Sequence, residues 1–175
     1  MTGCVFRSPR LGFLAASPAW AEAAAAFYRR NRTAFAPFDP IQRELLEQAV
    51  SLTEEGRGFR FLLVQPRHPG KVVGVTGLNE IVRGAFQSCF LSYKLDRTLW
   101  GRGLGSEAAA YTAEWAFRVL GLHRVEANIM PRNAPSLGAA ARAGFRREGI
   151  SPKYLRINGV WEDHIHMVRL CEETE

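Results

Sequence analysis

The sequence has 175 residues, a length at which one domain can bury a core without disulfides or metals. Hydrophobic residues make up 47% and charged residues 23%, a globular composition that excludes a disordered chain. No apolar run approaches the ~20 residues that span a bilayer, and the net charge of +6 comes from arginines spread along the chain, so neither membrane insertion nor direct nucleic-acid binding is expected.

The cysteines bear on the compartment. Cys4, Cys89 and Cys171 are an odd, scattered set without the spacing of a metal site or the density of a disulfide framework. We therefore expect a single domain over residues 1–175 that works in the reducing cytoplasm and binds no metal.

The first part of the chain predicts a strand and two helices. One short strand precedes Ala16, and Ser17-Pro18 gives a helix start that continues to about Asn31. Asp39-Pro40 repeats the start signal for a second helix, whose apolar stripe ends at Gly56.

From Gly58 onward, alternating β-rich runs predict strands, and longer periodic runs predict helices. Three strands come first, at 59–64, 71–78 and 86–95. A helix from Leu104 to Leu120, a strand from His123 to Ile129 and a helix from Ala134 to Ala143 follow. The last two strands flank Asn158-Gly159, a strong hairpin signal. This order predicts a mixed α/β fold with a twisted mixed sheet of about seven strands and four helices on both faces.

A glycine-rich turn, from Trp100 to Glu107, joins the third of these strands to the long helix. Glycines let an anion approach the backbone, and the helix adds its positive N-terminal end, so the turn is suited to phosphate. The G-x-G-x-x-G dinucleotide pattern fails here because Ser106 occupies the third glycine position, and the Walker pattern fails because Gly70-Lys71 is followed by Val72.

The remaining pattern resembles the acyl-CoA loop of the GCN5-related N-acetyltransferase family, Gln/Arg-x-x-Gly-x-Gly/Ala. Gly103 and Gly105 fill its glycine positions, and Trp100 departs from its first position. Residues 79–86, 121–127, 131–136, 143–145 and 154–164 are similar to the branch that acetylates the N-terminal alanine of ribosomal proteins.

The resemblance implies an acetyl-CoA-dependent N-acetyltransferase that needs no metal. It places the backbone near Tyr93 and Leu95 against pantetheine and the acetyl carbonyl, and Asn133 on the pantetheine arm. The pyrophosphate is expected on the loop residues Arg102, Gly103, Leu104, Gly105 and Ser106.

Ser136 matches the position of the acid that protonates the CoA thiolate in related enzymes, and it is also expected to contact the cofactor. Some family members use a tyrosine in this helix instead, but that position is Ala140 here. Alternatively, Ser136 is a residue of the helix cap or first turn.

The sequence leaves several candidates for the general base. Asn128 occupies the position where a related branch has a glutamate, and an amide cannot take a proton. Glu126 lies on the same face of its strand and is the first candidate, although it can equally be a carboxylate of the strand surface. Asp163 is another, with its neighbours Glu162 and His164 as further alternatives.

The absent glutamate favours an α-amine as acceptor. An α-amine has a pKa near 8, so deprotonation at pH 7 costs about 1.4 kcal/mol, whereas a lysine costs about 4–5 kcal/mol. We expect the acceptor to be a protein N-terminus, such as that of a ribosomal protein, contacted by Asn79, Arg83 and Trp161. A small-molecule amine such as an aminoglycoside, polyamine or amino acid is the alternative acceptor. A non-catalytic module that binds acyl-CoA or RNA is the alternative class, and the chain is expected to be a monomer or a homodimer.

Overall fold

The computed structural model describes residues 4–38, 53 and 55–172. Within them lie three α-helices, which we number α1 (Ala21–Phe35), α2 (Leu104–Leu120) and α3 (Ala134–Arg142). The eight strands are β1 (Cys4–Arg7), β2 (Gly12–Ala15), β3 (Phe59–Gln65), β4 (His68–Val82), β5 (Ser88–Leu95), β6 (Arg124–Ile129), β7 (Arg146–Ile157) and β8 (Val160–Leu170).

All eight strands form one mixed sheet in the order β1-β2-β3-β4-β5-β6-β8-β7. Every neighbouring pair is antiparallel except β5 and β6, which are parallel and joined through α2. The mixed α/β fold is therefore confirmed. The extra strand comes from the N-terminal segment, where a hairpin of two four-residue strands replaces the single strand that we expected, because such short runs show no clear period.

The helices cover the two faces of the sheet. On one face, α2 and α3 enclose a core that includes Cys89, Leu91, Val125 and Ala127. On the other face, α1 packs over a second cluster that includes Phe27, Leu62, Val64 and Val75. Side chains alternate between the two faces along β5 and β6, so successive residues contact different helices.

Several boundaries follow directly from local chemistry. The bounds of α2 agree with its periodic pattern, and Gly121 ends it in the left-handed region at φ 64°. Asn158 and Gly159 have φ values of 51° and 83°, as a two-residue hairpin turn requires. The helix expected after Asp39-Pro40 lies outside the described residues.

The first helix begins differently from the prediction. Pro18–Trp20 form a 3-10 turn, and α1 follows it and extends to Phe35, one turn beyond the expected end. None of the described helices is both long enough and apolar enough to cross a membrane.

Candidate active site

The parallel strands β5 and β6 separate along their length. They pair only at one end, where Ser88, Cys89 and Phe90 lie opposite Arg124, Val125 and Glu126. Beyond that point, β5 continues to Leu95 with β4 as its partner, and β6 continues to Ile129 with β8. The sheet therefore opens into a gap between these two strands.

Backbone groups of β5 point into this gap. The Asp96 N–H donates to the Val73 carbonyl at 2.8 Å, so the backbone of Asp96 faces β4. The direction of backbone groups alternates along a strand, and the N–H and C=O groups of Tyr93 and Leu95 therefore face away from β4, into the gap. These are the two residues expected to lie along pantetheine.

Trp100 forms a hydrogen bond with one of these backbone groups. Its indole Nε1 donates a hydrogen bond of 2.9 Å to the Leu95 carbonyl, while its ring is 44% exposed. The contact ties the glycine loop to the end of β5. The Leu95 N–H and both backbone groups of Tyr93 remain directed into the gap.

The glycine loop ends at the N-terminus of α2, and two of its glycines adopt conformations that other residues rarely take. Gly101 and Gly103 both have φ 74°, in the left-handed region. The first helical hydrogen bond runs from the Glu107 N–H to the Gly103 carbonyl at 3.1 Å. The preceding N–H groups, at residues 104–106, therefore have no acceptor within the helix and are suited to bind an anion.

The same loop is held from the β1–β2 turn. The Glu107 carboxylate accepts hydrogen bonds from Ser8 Oγ (2.6 Å), the Arg10 N–H (2.8 Å) and Arg10 Nε (2.6 Å). Burial alone would raise the pKa of Glu107, but these hydrogen bonds and the charge of Arg10 outweigh it and hold the pKa below its usual value. Arg10 also donates to the Arg102 carbonyl at 2.8 Å.

A second arginine approaches from α3. Arg142 Nε donates to Ser106 Oγ at 3.2 Å, and Gly105 lies so close to α3 that an added Cβ would be 3.7 Å from the Ala139 Cβ. Arg10 and Arg142 were not predicted, because they come from distant segments that no local pattern connects with the loop. Together they raise the positive potential around the expected pyrophosphate site.

Tyr93 and Ser136 form a pair of hydroxyl groups on the side of the gap that faces α3. The Tyr93 phenol donates to the Ser136 carbonyl at 2.9 Å, and the two hydroxyl oxygens are 3.0 Å apart. Because the phenol proton is already donated, Ser136 is the donor in the second bond. Burial raises the pKa of Tyr93, with the Ser136 hydrogen bond and the charge of Arg142 opposing it, so the phenol stays protonated.

Asn133 occupies the cap of α3. Its Oδ1 accepts from the Ser136 N–H at 3.4 Å, and its backbone carbonyl accepts from the same group at 3.1 Å. The cap is therefore Asn133, and Ser136 lies in the first turn with its hydroxyl turned toward β5.

The expected base, Glu126, lies on the opposite face of the sheet from Ser136. Its Oε1 accepts from Arg124 Nε at 2.7 Å, and its Oε2 lies 3.7 Å from Nδ1 of His166. Arg124 forks onward to Glu148. Glu126 is thus a carboxylate that is already paired. It lies where β5 and β6 separate, because Phe90 and Glu126 are the last paired residues of these strands.

The other residues predicted to form the site are not all brought together. Asp163 is exposed and accepts from the Lys153 N–H at 2.8 Å. Arg83 donates to the Leu120 carbonyl at the C-terminal end of α2, a helix about 25 Å long whose other end forms the glycine loop. Trp161, 58% exposed, lies at the start of β8.

Asn79 lies nearer the gap, on the face opposite α2. Its Nδ2 donates to Ser92 Oγ at 3.2 Å, and its Oδ1 accepts from Arg60 at 3.2 Å. Across the described chain, no three His, Cys, Asp or Glu side chains converge as metal ligands would.

This geometry agrees with the sequence comparison. Residues 10–146 match the family described as the acetyltransferase (GNAT) domain. The chain belongs to the GNAT family. The gap, the glycine loop and the mixed sheet are thus the parts of a GNAT domain, and the fold that the loop resemblance implied is confirmed.

Curated relatives of this GNAT domain include the probable N-acetyltransferase YjcK of Bacillus subtilis, 46% identical over 105 residues. That alignment covers 60% of this chain and 58% of YjcK, so the match spans less than two thirds of the length of YjcK. The ribosomal protein uS5-alanine N-acetyltransferase of Escherichia coli is 32% identical over 149 residues, 79% of this chain and 76% of that protein.

Solved GNAT structures extend the similarity over nearly the whole chain. The ribosomal-protein-S5-alanine acetyltransferase of Vibrio fischeri has a TM-score of 0.87 at 30% identity, covering 97% of this chain and 98% of that one. RimJ of Mycobacterium smegmatis, solved in complex with CoA-disulfide, has a TM-score of 0.86 at 24% identity over 94% of this chain and 83% of that chain. The second similarity shows a common fold.

Proposed function

We propose that this GNAT domain transfers the acetyl group of acetyl-CoA to the N-terminal α-amine of a protein, with a ribosomal protein as the leading candidate. The observation that carries the proposal is the gap between β5 and β6, where the backbone groups of Tyr93 lie between an anion-binding loop and a hydroxyl pair. The relatives named as uS5- or S5-alanine acetyltransferases support the choice of acceptor.

The residues present fit acetyl-CoA. The N–H groups of residues 104–106 would bind the pyrophosphate at the start of α2, with Arg10 and Arg142 nearby. The backbone of Tyr93 and the Leu95 N–H would pair with the pantetheine arm as an added strand does. The Asn133 amide, whose Oδ1 accepts from the Ser136 N–H, would lie near the same arm.

The transfer is a single displacement. The neutral amine would attack the carbonyl carbon of the thioester; a C–N bond forms, the C–S bond breaks, and the proton that the nitrogen loses passes to water. Backbone N–H groups of β5 would stabilise the negative charge that develops on the carbonyl oxygen. Ser136 would redirect its hydroxyl proton from Tyr93 to the departing thiolate, so that CoA leaves as the thiol, and would regain a proton from water.

The acceptor would approach from the face opposite α2 and α3, because the hydroxyl pair and the loop lie on the other side. Asn128 lies on this face, and its buried Oδ1 has no hydrogen-bond partner among the described residues. We assign it the role of accepting an N–H of the incoming amine. A strong base is not required for an α-amine, since about one in ten is neutral near pH 7.

The test is release of CoA thiol with a panel of acceptors. The panel contains peptides that begin with alanine or serine, the same peptides with a blocked N-terminus, and small amines including a polyamine and an aminoglycoside. We expect thiol release with the free peptides alone. Release that depends only on a small amine would replace the acceptor, and no release with any amine, while CoA still binds, would overturn the chemistry.

A further inference from the structure

Two buried polar atoms stand out. Among the described residues, Arg60 Nε and Asn128 Oδ1 are the buried side-chain nitrogen and oxygen atoms with no hydrogen-bond partner. Buried polar groups are nearly always paired, since leaving one unpaired costs free energy. One of these atoms is a cationic donor and the other a neutral acceptor, so a ligand that carries both an anion and an N–H group would satisfy both.

The guanidinium of Arg60 occupies a slot over Gly77, a residue without a side chain. A Cβ added to Gly77 would lie 3.1 Å from Cζ and Nη1 of Arg60 and 3.2 Å from its Nε, so the guanidinium lies directly over this glycine. Its Nη1 donates to Ser92 Oγ at 3.4 Å, and its Nη2 donates to Asn79 Oδ1 at 3.2 Å. The slot holds the guanidinium flat against β4.

The hydrogen-bond partners of Arg60 among the described residues, Ser92 and Asn79, are both neutral. None of the ion pairs among the described residues includes Arg60, and its two hydrogen bonds use two of five N–H donors. Glu126, a carboxylate of the same face, is already paired with Arg124. A partly buried cation with free donors favours an anionic ligand.

The register places Arg60 and Asn128 on the two sides of the gap. Arg60, Gly77 and Ser92 are consecutive partners across β3, β4 and β5. The pairing of β5 with β6 sets Ser88 opposite Arg124, and extending that offset along both strands sets Ser92 opposite Asn128. The side chains of this row lie on the face from which the acceptor approaches.

From this arrangement we infer that the acceptor is a peptide whose second residue has an acidic side chain, bound by Arg60 while Asn128 accepts the α-amine N–H. The inference rests on the proposed function. Adjacent strands are about 5 Å apart, so a carboxylate over Gly77 lies more than about 5 Å from an amine in the gap. A free amino acid holds its own carboxylate within about 4 Å of its amine, which favours a side chain over an α-carboxylate.

The experiment compares kcat/KM for matched peptides that begin Ala-Glu and Ala-Gln. The wild-type chain is expected to favour the Glu peptide by about 10- to 100-fold, the range of a hydrogen-bonded charge. Arg60→Gln is expected to bring the ratio close to one, and Arg60→Lys to keep part of it. Gly77→Ala is expected to lower the ratio because its Cβ displaces the guanidinium. Gly70→Ala is the matched control on the same strand, since an added Cβ there has no neighbour within 4 Å.

A binding measurement separates this inference from the proposed function. Affinity of the same two peptides for the CoA-loaded chain is measured by calorimetry, with free glutamate as a third ligand and melting temperature as the folding check. Equal affinity for the two peptides in the wild-type chain overturns the inference, whether or not acetyl transfer occurs. Free glutamate that binds as tightly as the Glu peptide would also overturn it in favour of an amino-acid ligand. A Glu preference that survives in Arg60→Gln would show that another group reads the carboxylate.

Discussion

Replacing Glu107 by glutamine removes the contact that joins the β1–β2 turn to the glycine loop. The carboxylate accepts three hydrogen bonds from Ser8 and Arg10, and its side chain is only 9% exposed. The glutamine has one acceptor oxygen and places an NH₂ group where a second acceptor is needed. The variant therefore leaves at least one donor of the turn without a partner and removes the charge that holds Arg10.

The magnitude follows from these contacts. Three hydrogen bonds to a charged acceptor are worth about 1.5–3 kcal/mol each, or roughly 4–9 kcal/mol in total. Glutamine keeps at most the two hydrogen bonds to one oxygen, weakened because that acceptor is now neutral, and Arg10 is 49% exposed, so water replaces part of the lost bond to its Nε. We expect a net loss of about 2–4 kcal/mol in the free energy of unfolding, a fall in melting temperature of about 5–12 °C.

The assay is thermal unfolding at pH 7, with a CoA titration of the folded protein. CoA affinity is expected to fall as well, because Arg10 also holds the Arg102 carbonyl of the loop. Glu22→Gln is the matched control, because Glu22 forms an exposed pair with Arg29 and its loss is expected to cost less than about 1 kcal/mol. A Glu107→Gln variant as stable as this control would show that the Glu107 hydrogen bonds do not hold the loop.

The contribution of Glu107 to stability is expected to fall at acidic pH. Because the pKa of Glu107 is lower in the folded chain than its usual value, its contribution is complete above about pH 4.3 and is lost as the pH falls through the folded pKa. The stability difference between wild type and Glu107→Gln should therefore be constant near neutrality and shrink below about pH 4.

Four further substitutions test other parts of the structure. Ser136→Ala is expected to lower kcat by about 100-fold with little change in CoA affinity, and Tyr93→Phe to lower it less, in single-turnover assays. Trp100→Phe keeps a ring but loses the indole N–H that holds the end of β5, so the dissociation constant of CoA should rise about 5-fold, the effect of one hydrogen bond. Asp96→Asn breaks the ion pair with Arg30 and should cost about 2–4 kcal/mol at pH 7 in denaturant unfolding. Although burial would raise the pKa of Asp96, its hydrogen bonds lower it, so that cost should disappear as the pH falls below about 4.

Local patterns predicted the elements that end at strong signals. The bounds of α2 could be predicted because seventeen residues with a clear helical period lie between two glycines. The hairpin at Asn158-Gly159 could be predicted because both residues must adopt positive φ. In both cases the determining chemistry lies within a few residues of the boundary.

The site itself depends on contacts between distant segments. Arg10 reaches Arg102 across 92 positions, and the Tyr93 phenol reaches Ser136 across 43. The family resemblance predicted that the backbone of Tyr93 lies near the acetyl group, but nothing local indicated the partner of its hydroxyl. The slot of Arg60 was missed for the same reason, since it depends on Gly77 being its neighbour on the next strand.

Transfer to an α-amine in the gap between β5 and β6 can be measured with a peptide that has one free N-terminal alanine and one internal lysine. The peptide is incubated with acetyl-CoA and sequenced by tandem mass spectrometry. We expect one acetyl group on the alanine nitrogen, with CoA thiol released in equal amount and the rate reduced in Ser136→Ala. An acetyl group on the lysine, or an unmodified peptide in the presence of bound acetyl-CoA, would contradict transfer to the α-amine.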